Sequence, residues 1–248
     1  MIMTGKRVVV TGAGGGIGRA LVQVFTAAGA HVVACDLAGA EVGGAAEVEL
    51  FDITDRDQTE AAAARIAQGG VDAVISNAGG TRVETMEDTD AAAIDVDLTL
   101  NFTGAAVFTR ALLPAMRGRP EGAAMVFIAS VNALAHYGNP AYSAAKGALV
   151  AWCRAMAVEE ARNGLRANVV APGSVHTPAW EDREARHPGI FDKVAGLYPM
   201  RRLVRPEEVA QAALFLASPM ASGITGAVLP VDAGLTAGNQ AFFDIIGG

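Results

Sequence analysis

The segment SVNALAHYGNPAYSAAK, Ser130 to Lys146, carries a hydroxyl, a phenol and an ammonium, groups that donate hydrogen bonds to an oxygen and pass protons to and from it. Tyr142 and Lys146 stand four residues apart, so on a helix they project from one face within reach of each other. Asn139 is a good cap for that helix, and Pro140 suits its first turn, where a missing N–H costs nothing. Ser130 closes the apolar run AAMVFIA, which reads as a buried strand. It therefore stands at a strand's C-terminal end, where open α/β sheets bind their ligands, and faces the helix across a crevice.

Elements able to hold such a crevice recur along the chain. Apolar or β-branched runs at 6–11, 31–35, 48–52, 71–79, 124–129, 165–173 and 227–232 read as strands. Helical patterns lie between most of them: after the glycines of the first turn, at TDRDQTEAAAARIAQ, from Thr89 to Met116, from Pro140 to Asn163 with Gly164 as its C-cap, and at PEEVAQAALFLAS. The segment between Asp36 and Val48, LAGAEVGGAAE, is too rich in glycine and alanine for a confident helix. Alternation this regular predicts right-handed crossovers and one doubly wound α/β domain, a parallel sheet of about seven strands flanked by helices. Residues 177–205 hold several prolines and mixed charge and read as an excursion or lid, and residues 235–248 form a tail beyond the last strand.

Composition narrows the function classes. The chain has 248 residues without a linker-like tract, 52% apolar and 18% charged, with 29 glycines, as suits strands buried on both faces. A net charge of −7 and no basic stripe exclude a nucleic-acid surface. Cys35 and Cys153 fall in a strand and a helix without metal-like spacing and read as buried free thiols in a reducing compartment. No His/Cys or acidic set suggests a metal. No apolar run approaches the roughly 20 residues of a membrane span, and no signal peptide is evident, so a soluble cytoplasmic protein is expected.

The first strand runs into Thr11-Gly12-Ala13-Gly14-Gly15-Gly16-Ile17-Gly18, a G-x-x-x-G-x-G loop rather than G-x-G-x-x-G. Its physical use is unchanged: a tight turn, a backbone close enough to touch a pyrophosphate, and a helix N-terminus aimed at its charge. Asp36, at the end of the second strand, either accepts hydrogen bonds from an adenosine ribose or caps a turn. In the first role it repels a 2′-phosphate, and with Gly15 in place of a basic residue the reading is NAD over NADP.

With TGAGGGIG, Asp36, SNAG at 76–79, Asn101, Ser130, YSAAK and PGSVHT at 172–177 in this order, nearly the whole chain resembles the short-chain dehydrogenase/reductases, a family of Rossmann-fold oxidoreductases. The resemblance implies a catalytic set. Tyr142 is the acid/base for the substrate oxygen, Lys146 favours its phenolate and holds the nicotinamide ribose, and Ser130 hydrogen-bonds the substrate oxygen. Asn101 is expected to hold a water that relays protons to Lys146. Cofactor contacts carry over to Gly12, Gly14, Gly16, Ile17, Gly18 and Asp36, to Asp52 and Ile53 beside the adenine, and to Asn77, Ala78 and Gly79 along the ribose. Tyr142 and Lys146 join them, with Pro172, Gly173, Val175 and Thr177 toward the carboxamide. Asn132, His136, Tyr137 and Trp180 are the candidate substrate residues.

Two departures stand out: the short Asp36–Asp52 interval, which implies a helix reduced to a turn, and Ser76 where the family more often has Asn. The expected activity is hydride transfer between NAD and a secondary alcohol or ketone of the polyol, cyclic diol, hydroxysteroid or aryl alcohol class. An NADPH-dependent 3-oxoacyl-thioester reductase and a non-catalytic NAD-sensing protein are the competing readings. Helices at 101–116 and 141–159 apolar over much of their circumference, with Phe242, Phe243, Ile245 and Ile246 in the tail, suggest a homo-oligomer, as in the family's tetramers. No membrane partner is expected.

Overall fold

The computed structural model describes residues 1–80 and 85–247. Seven parallel strands form one sheet: β1 (Arg7–Thr11), β2 (His31–Asp36), β3 (Glu47–Leu50), β4 (Ala73–Ser76), β5 (Ala123–Ile128), β6 (Leu165–Pro172) and β7 (Val228–Val231). Their order is β3-β2-β1-β4-β5-β6-β7, so the winding reverses between β1 and β4 and opens a crevice at the C-terminal ends of those strands. Helices α1 (Gly16–Ala27) and α8 (Pro206–Ala217) cover one face, where Val8, Val10, Leu21, Phe25 and Leu216 are buried. On the other face α2 (Arg56–Ala67), α4 (Gly104–Met116) and α5 (Pro140–Glu159) enclose Phe51, Phe108, Leu112, Phe127 and Leu149. All residues of β4 and β5 are buried, and each large side chain so placed contributes about 1.5–3 kcal/mol.

The segment from Ala91 to Met116 is one helical run of 26 residues containing an 18-residue stretch of mean hydropathy 1.3, long and apolar enough to cross a membrane, which corrects the expectation of no such run. Here its second half packs on α2 and the sheet. The run consists of α3 (Ala91–Leu98), a π-helical turn at Thr99–Thr103, and α4. The extra residue of the turn rotates the apolar stripe, so α3 leaves Ile94 and Val96 exposed while α4 buries Phe108, Leu112 and Met116.

Other boundaries move by a few residues. β3 spans 47–50 rather than 48–52, and β4 spans 73–76 rather than 71–79. No helix separates β2 from β3, as the short interval implied. The 37–46 connection is tied down by Thr26 Oγ1 donating to the Gly44 carbonyl, and Val48 and Leu50 stay exposed on the edge strand. Asn139 occupies the N-cap of α5 with a left-handed φ of +52°, and its side chain makes no capping bond, contrary to expectation. That left-handed backbone differs from the extended one from which a cap side chain reaches the first N–H groups of a helix. After α5 a short 3₁₀ turn ends at Gly164, whose φ of +78° makes the predicted stop.

At the N-terminal ends of the strands, charges are paired. Asp72 accepts from the Arg7 backbone N–H (2.9 Å) and Arg119 (2.8 Å), Glu160 pairs with Arg117 (2.5 Å), and Lys6 with Glu121 (2.6 Å). The guanidinium of Arg117 holds the Glu160 carboxyl at a pKa of about 2. The tail ends in α9 (Gln240–Ile246), held by an Arg201–Asp244 ion pair at 3.0 Å, with Phe242, Phe243, Ile245 and Ile246 exposed.

Candidate active site

A cavity of about 600 Å³ opens at the strand reversal. Its floor is the glycine loop. At Gly12 (φ +65°) a Cβ would lie 2.8 Å from Ala78 Cα, and at Gly18 only 1.9 Å from the Gly12 carbonyl oxygen, so backbone approach fixes glycine at both positions. Helix α1 then begins at Gly16 with a side-chain-free N-cap, Gly15, and no acidic residue in its first turn, which leaves its N–H groups available to an anion. Thr11 Oγ1 accepts from the N–H groups of Asn77 and Ala78 (3.0 Å each), and Asn77 Nδ2 donates to the carbonyls of Thr11 (3.0 Å) and Gly12 (3.1 Å). Asn77 therefore braces the loop against the end of β4. The Asp36 carboxylate accepts from the N–H groups of Gly14 and Leu37, each at 2.7 Å, which fixes it at the cavity edge.

Asp52 and Ile53 line the same cavity. The Asp52 carboxylate accepts from the Thr54 N–H and hydroxyl, while Asp55 caps α2. Gly79, Tyr142, Lys146 and Thr177 complete the far wall. Arg19, Leu37, Phe51, Gly80 and Leu100 also line it. Sequence reading passed over them because each is only a neighbour of a motif.

Three of the four expected catalytic groups converge where β5 ends. Ser130 accepts a hydrogen bond from the Asn132 N–H (3.2 Å) and is hydrogen-bonded to Tyr142. Lys146 lies under the phenol, with Nζ 5.5 Å from the ring centroid and donating to the Ile128 carbonyl at 3.0 Å. It is 3% exposed, and burial lowers its pKa to about 8. Burial likewise raises the Tyr142 pKa, the Ser130 hydrogen bond pulls it down, and the negative charge of Asp97 pushes it up.

Asn101, the fourth, lies in the π turn. Its Nδ2 donates to the Gly80 carbonyl (2.8 Å) and the Asp97 carbonyl (3.1 Å), and its Oδ1 accepts from the Gly80 N–H (2.9 Å). The Asp97 carbonyl is the one an uninterrupted α-helix would give to the Asn101 N–H, so side-chain competition for it explains the bulge. The Asn101 amide is thereby tied to the backbone of Gly80 and of Asp97.

The remaining candidates separate. Pro172, Gly173 and Val175 do not line the cavity: Pro172 ends β6, a Gly173 Cβ would lie 3.1 Å from the Tyr198 ring, and Val175 is buried and bridged to Val204. Asn132 braces its loop by donating to the Gly138 carbonyl (2.8 Å) and to Ser143 Oγ (3.1 Å), and His136 and Tyr137 are exposed. The expected lid folds as α6 (Pro178–Arg186) and α7 (Ile190–Ala195). Trp180 stacks on Phe191, with centroids 6.2 Å apart, and Arg183 lies over the Trp180 ring. Glu184 caps the N–H groups of Gly189 (2.6 Å) and Phe191 (2.8 Å), so the two helices form a braced unit.

Comparison with known proteins agrees with this geometry. A family model described as enoyl-(acyl carrier protein) reductase matches residues 12–236. A short-chain dehydrogenase/reductase from Burkholderia thailandensis superposes with a TM-score of 0.92 at 42% identity, covering 99% of this chain and 98% of the other. The galactitol 2-dehydrogenase (L-tagatose-forming) of Cereibacter sphaeroides is 36% identical over 94% of this chain and 96% of its own. An NADPH-bound short-chain oxidoreductase of Pseudomonas aeruginosa with an atypical catalytic center has a TM-score of 0.86 at 33% identity, covering 94% of this chain and 97% of that one.

Proposed function

The chain belongs to the short-chain dehydrogenase/reductase family, an oxidoreductase fold that takes a nicotinamide cofactor, and on that premise we propose that it transfers a hydride between NAD(H) and a secondary alcohol or ketone. The observation that carries the reading is the meeting of Ser130, Tyr142 and Lys146 at one end of a cavity whose other end is a glycine loop and a bare helix N-terminus.

The cavity suits a dinucleotide. The α1 N-terminus and the glycine backbone would receive its phosphates, and Asp36 and Lys146, which both line the cavity, would hold its ribose hydroxyls. Bound nicotinamide supplies the hydride donor or acceptor. Tyr142 Oη gives a proton to the substrate oxygen in reduction and takes it back in oxidation. Ser130 Oγ steadies the charge developing on that oxygen, and Lys146, still mostly protonated at neutral pH although burial lowers its pKa to about 8, supplies the cation that makes the phenol a usable acid/base.

Asp36 and the absence of a basic side chain at Gly15 favour NAD; the NADPH-bound neighbour makes the direct comparison necessary. Cofactor titration followed by reduced-nicotinamide absorbance, with polyols, cyclic diols, hydroxysteroids and aryl alcohols, tests both parts. Tight NADPH binding with 3-oxoacyl-thioester turnover replaces the reading by the reductase one, and NAD binding without any turnover replaces it by a sensor.

A cytoplasmic homotetramer completes the proposal. The exposed apolar side chains of α9 and of the 91–116 helix support assembly, and the buried free Cys35 and Cys153 suit a reducing compartment. A chain truncated after Ala237 should elute smaller on size exclusion; an unchanged elution volume and melting temperature remove the assignment of the tail to an interface.

A further inference from the structure

A serine hydroxyl sits on a rotor with three staggered positions, and a hydrogen bond aimed at a substrate oxygen needs one of them held. Ser130, with extended backbone (φ −168°, ψ 158°), caps a 3₁₀ turn at Val131–Ala133, and its Oγ accepts from the Asn132 N–H at 3.2 Å. Asn132 Oδ1 accepts in turn from that hydroxyl, also at 3.2 Å. The other end of the amide faces the start of α5: Nδ2 donates to the Gly138 carbonyl at 2.8 Å and to Ser143 Oγ at 3.1 Å. Ser143 Oγ is itself within donating distance of the Gly138 (3.0 Å) and Asn139 (2.8 Å) carbonyls. A carbonyl only accepts, so the amide nitrogen is the end at Gly138 and the oxygen is the end at Ser130. Ser143 follows Tyr142 directly, so one side chain joins the serine at the end of β5 to the helical turn that carries the phenol. Residues 134–137 are exposed, which leaves the loop between the two ends little apolar packing to fix it. Bracing that loop needs only the Nδ2 bonds; the use of Oδ1 on Ser130 is additional.

We propose that Asn132 is a positioning residue that acts through Ser130: its amide clamps the Ser130 hydroxyl to the first turn of α5, so that Ser130 and Tyr142 offer the substrate oxygen one fixed pair of partners. At 3.2 Å the bond to Oδ1 is long for a hydroxyl donor, and a substrate oxygen can take the Ser130 proton over from it at small cost. The inference rests on the hydride-transfer reading above. Asn132 does not line the cofactor cavity, so its effect is separable from cofactor binding.

The test is a double-mutant cycle in the full chain, run with NAD and the alcohol of the panel above that turns over fastest. Asn132→Ala should lower kcat about tenfold or more with the NAD dissociation constant unchanged, and Ser130→Ala should lower it about 10²- to 10³-fold. In the Ser130→Ala background the further Asn132→Ala change should cost less than about twofold, because no hydroxyl is left to orient. Ser143→Ala, which leaves Asn132 its bond to the Gly138 carbonyl, should give a smaller loss with the same dependence on Ser130. An Asn132→Ala loss as large without Ser130 as with it makes Asn132 a loop brace alone and overturns the proposal. A change confined to KM also overturns it, by placing Asn132 on the substrate. Where Asn132→Ala fails to fold, the Ser143→Ala cycle and a crystal structure of the unsubstituted NAD complex decide: Asn132 Oδ1 within about 3.5 Å of Ser130 Oγ supports the clamp, and an amide turned away from Ser130 overturns it. A protein that binds NAD and oxidises no alcohol removes the hydride-transfer reading, and the same crystal structure then decides the clamp by itself.

Discussion

The two rims of the sheet follow opposite rules. At the N-terminal rim three charges each have a close opposite: Asp72 with Arg119, Glu160 with Arg117, Lys6 with Glu121. At the C-terminal rim Lys146 is buried and donates to the Ile128 carbonyl, Ala233 is held at a positive φ, and the Asn101 side chain breaks its own helix. One rim is compensated, and the other holds its groups ready at a cost to folding. Stability and reactivity are thus located at opposite ends of the same strands, as expected where strain is kept only for use.

The contrast breaks first at Tyr142. Tyr142→Phe should lower turnover by about 10² to 10⁴-fold with the NAD dissociation constant unchanged, measured by steady-state kinetics and fluorescence titration. Retained turnover would remove the acid/base role. Lys146→Met comes next: activity falls, yet the melting temperature rises, because a buried ammonium is removed. Its folded pKa of about 8 lies below the ordinary 10.5, so the charged amine burdens the fold fully below pH 8, and the burden disappears as pH rises toward 10.5. Full relief corresponds to up to about 3 kcal/mol. Denaturant unfolding from pH 7 to 10.5 should therefore show a Lys146-dependent rise in stability that the Met variant lacks.

At the opposite rim the signs reverse. Asp72→Ala should cost about 2–4 kcal/mol by leaving Arg119 and the Arg7 N–H without their acceptor, and should leave KM for NAD untouched. The smallest effect sharpens the comparison further: Ala233→Gly, at φ +50°, should gain about 0.5 kcal/mol in chemical denaturation, because glycine takes the left-handed region without strain.

Local chemistry explains what was legible beforehand. The glycine loop, the Tyr142–Lys146 spacing and Ser130 at a strand end are each set by a few adjacent residues, and sheet and site followed from them. Loop paths were not legible. Asn132, His136 and Tyr137 are close in sequence to the reacting groups, but one is absorbed in bracing the turn and two face solvent. Asp97 escaped notice for a different reason. Helical periodicity assigns faces by counting, and one extra residue at Thr99–Thr103 shifts the count, so nothing in the pattern marked Asp97 as the buried residue of its helix. Asn139 failed as a cap because cap preference is a property of the side chain, whereas its reach depends on the backbone, which is left-handed here.

That extra residue also bears on how the chain tolerates editing. Removing one residue from 99–103 would leave a regular helix with better hydrogen bonding and a continuous stripe. It would also turn everything upstream by about 100° relative to α4. Length variation at this point is thus a switch between a more regular helix and a working site, and natural or engineered relatives one residue shorter here should be sorted by that position before their Tyr-x-x-x-Lys is trusted.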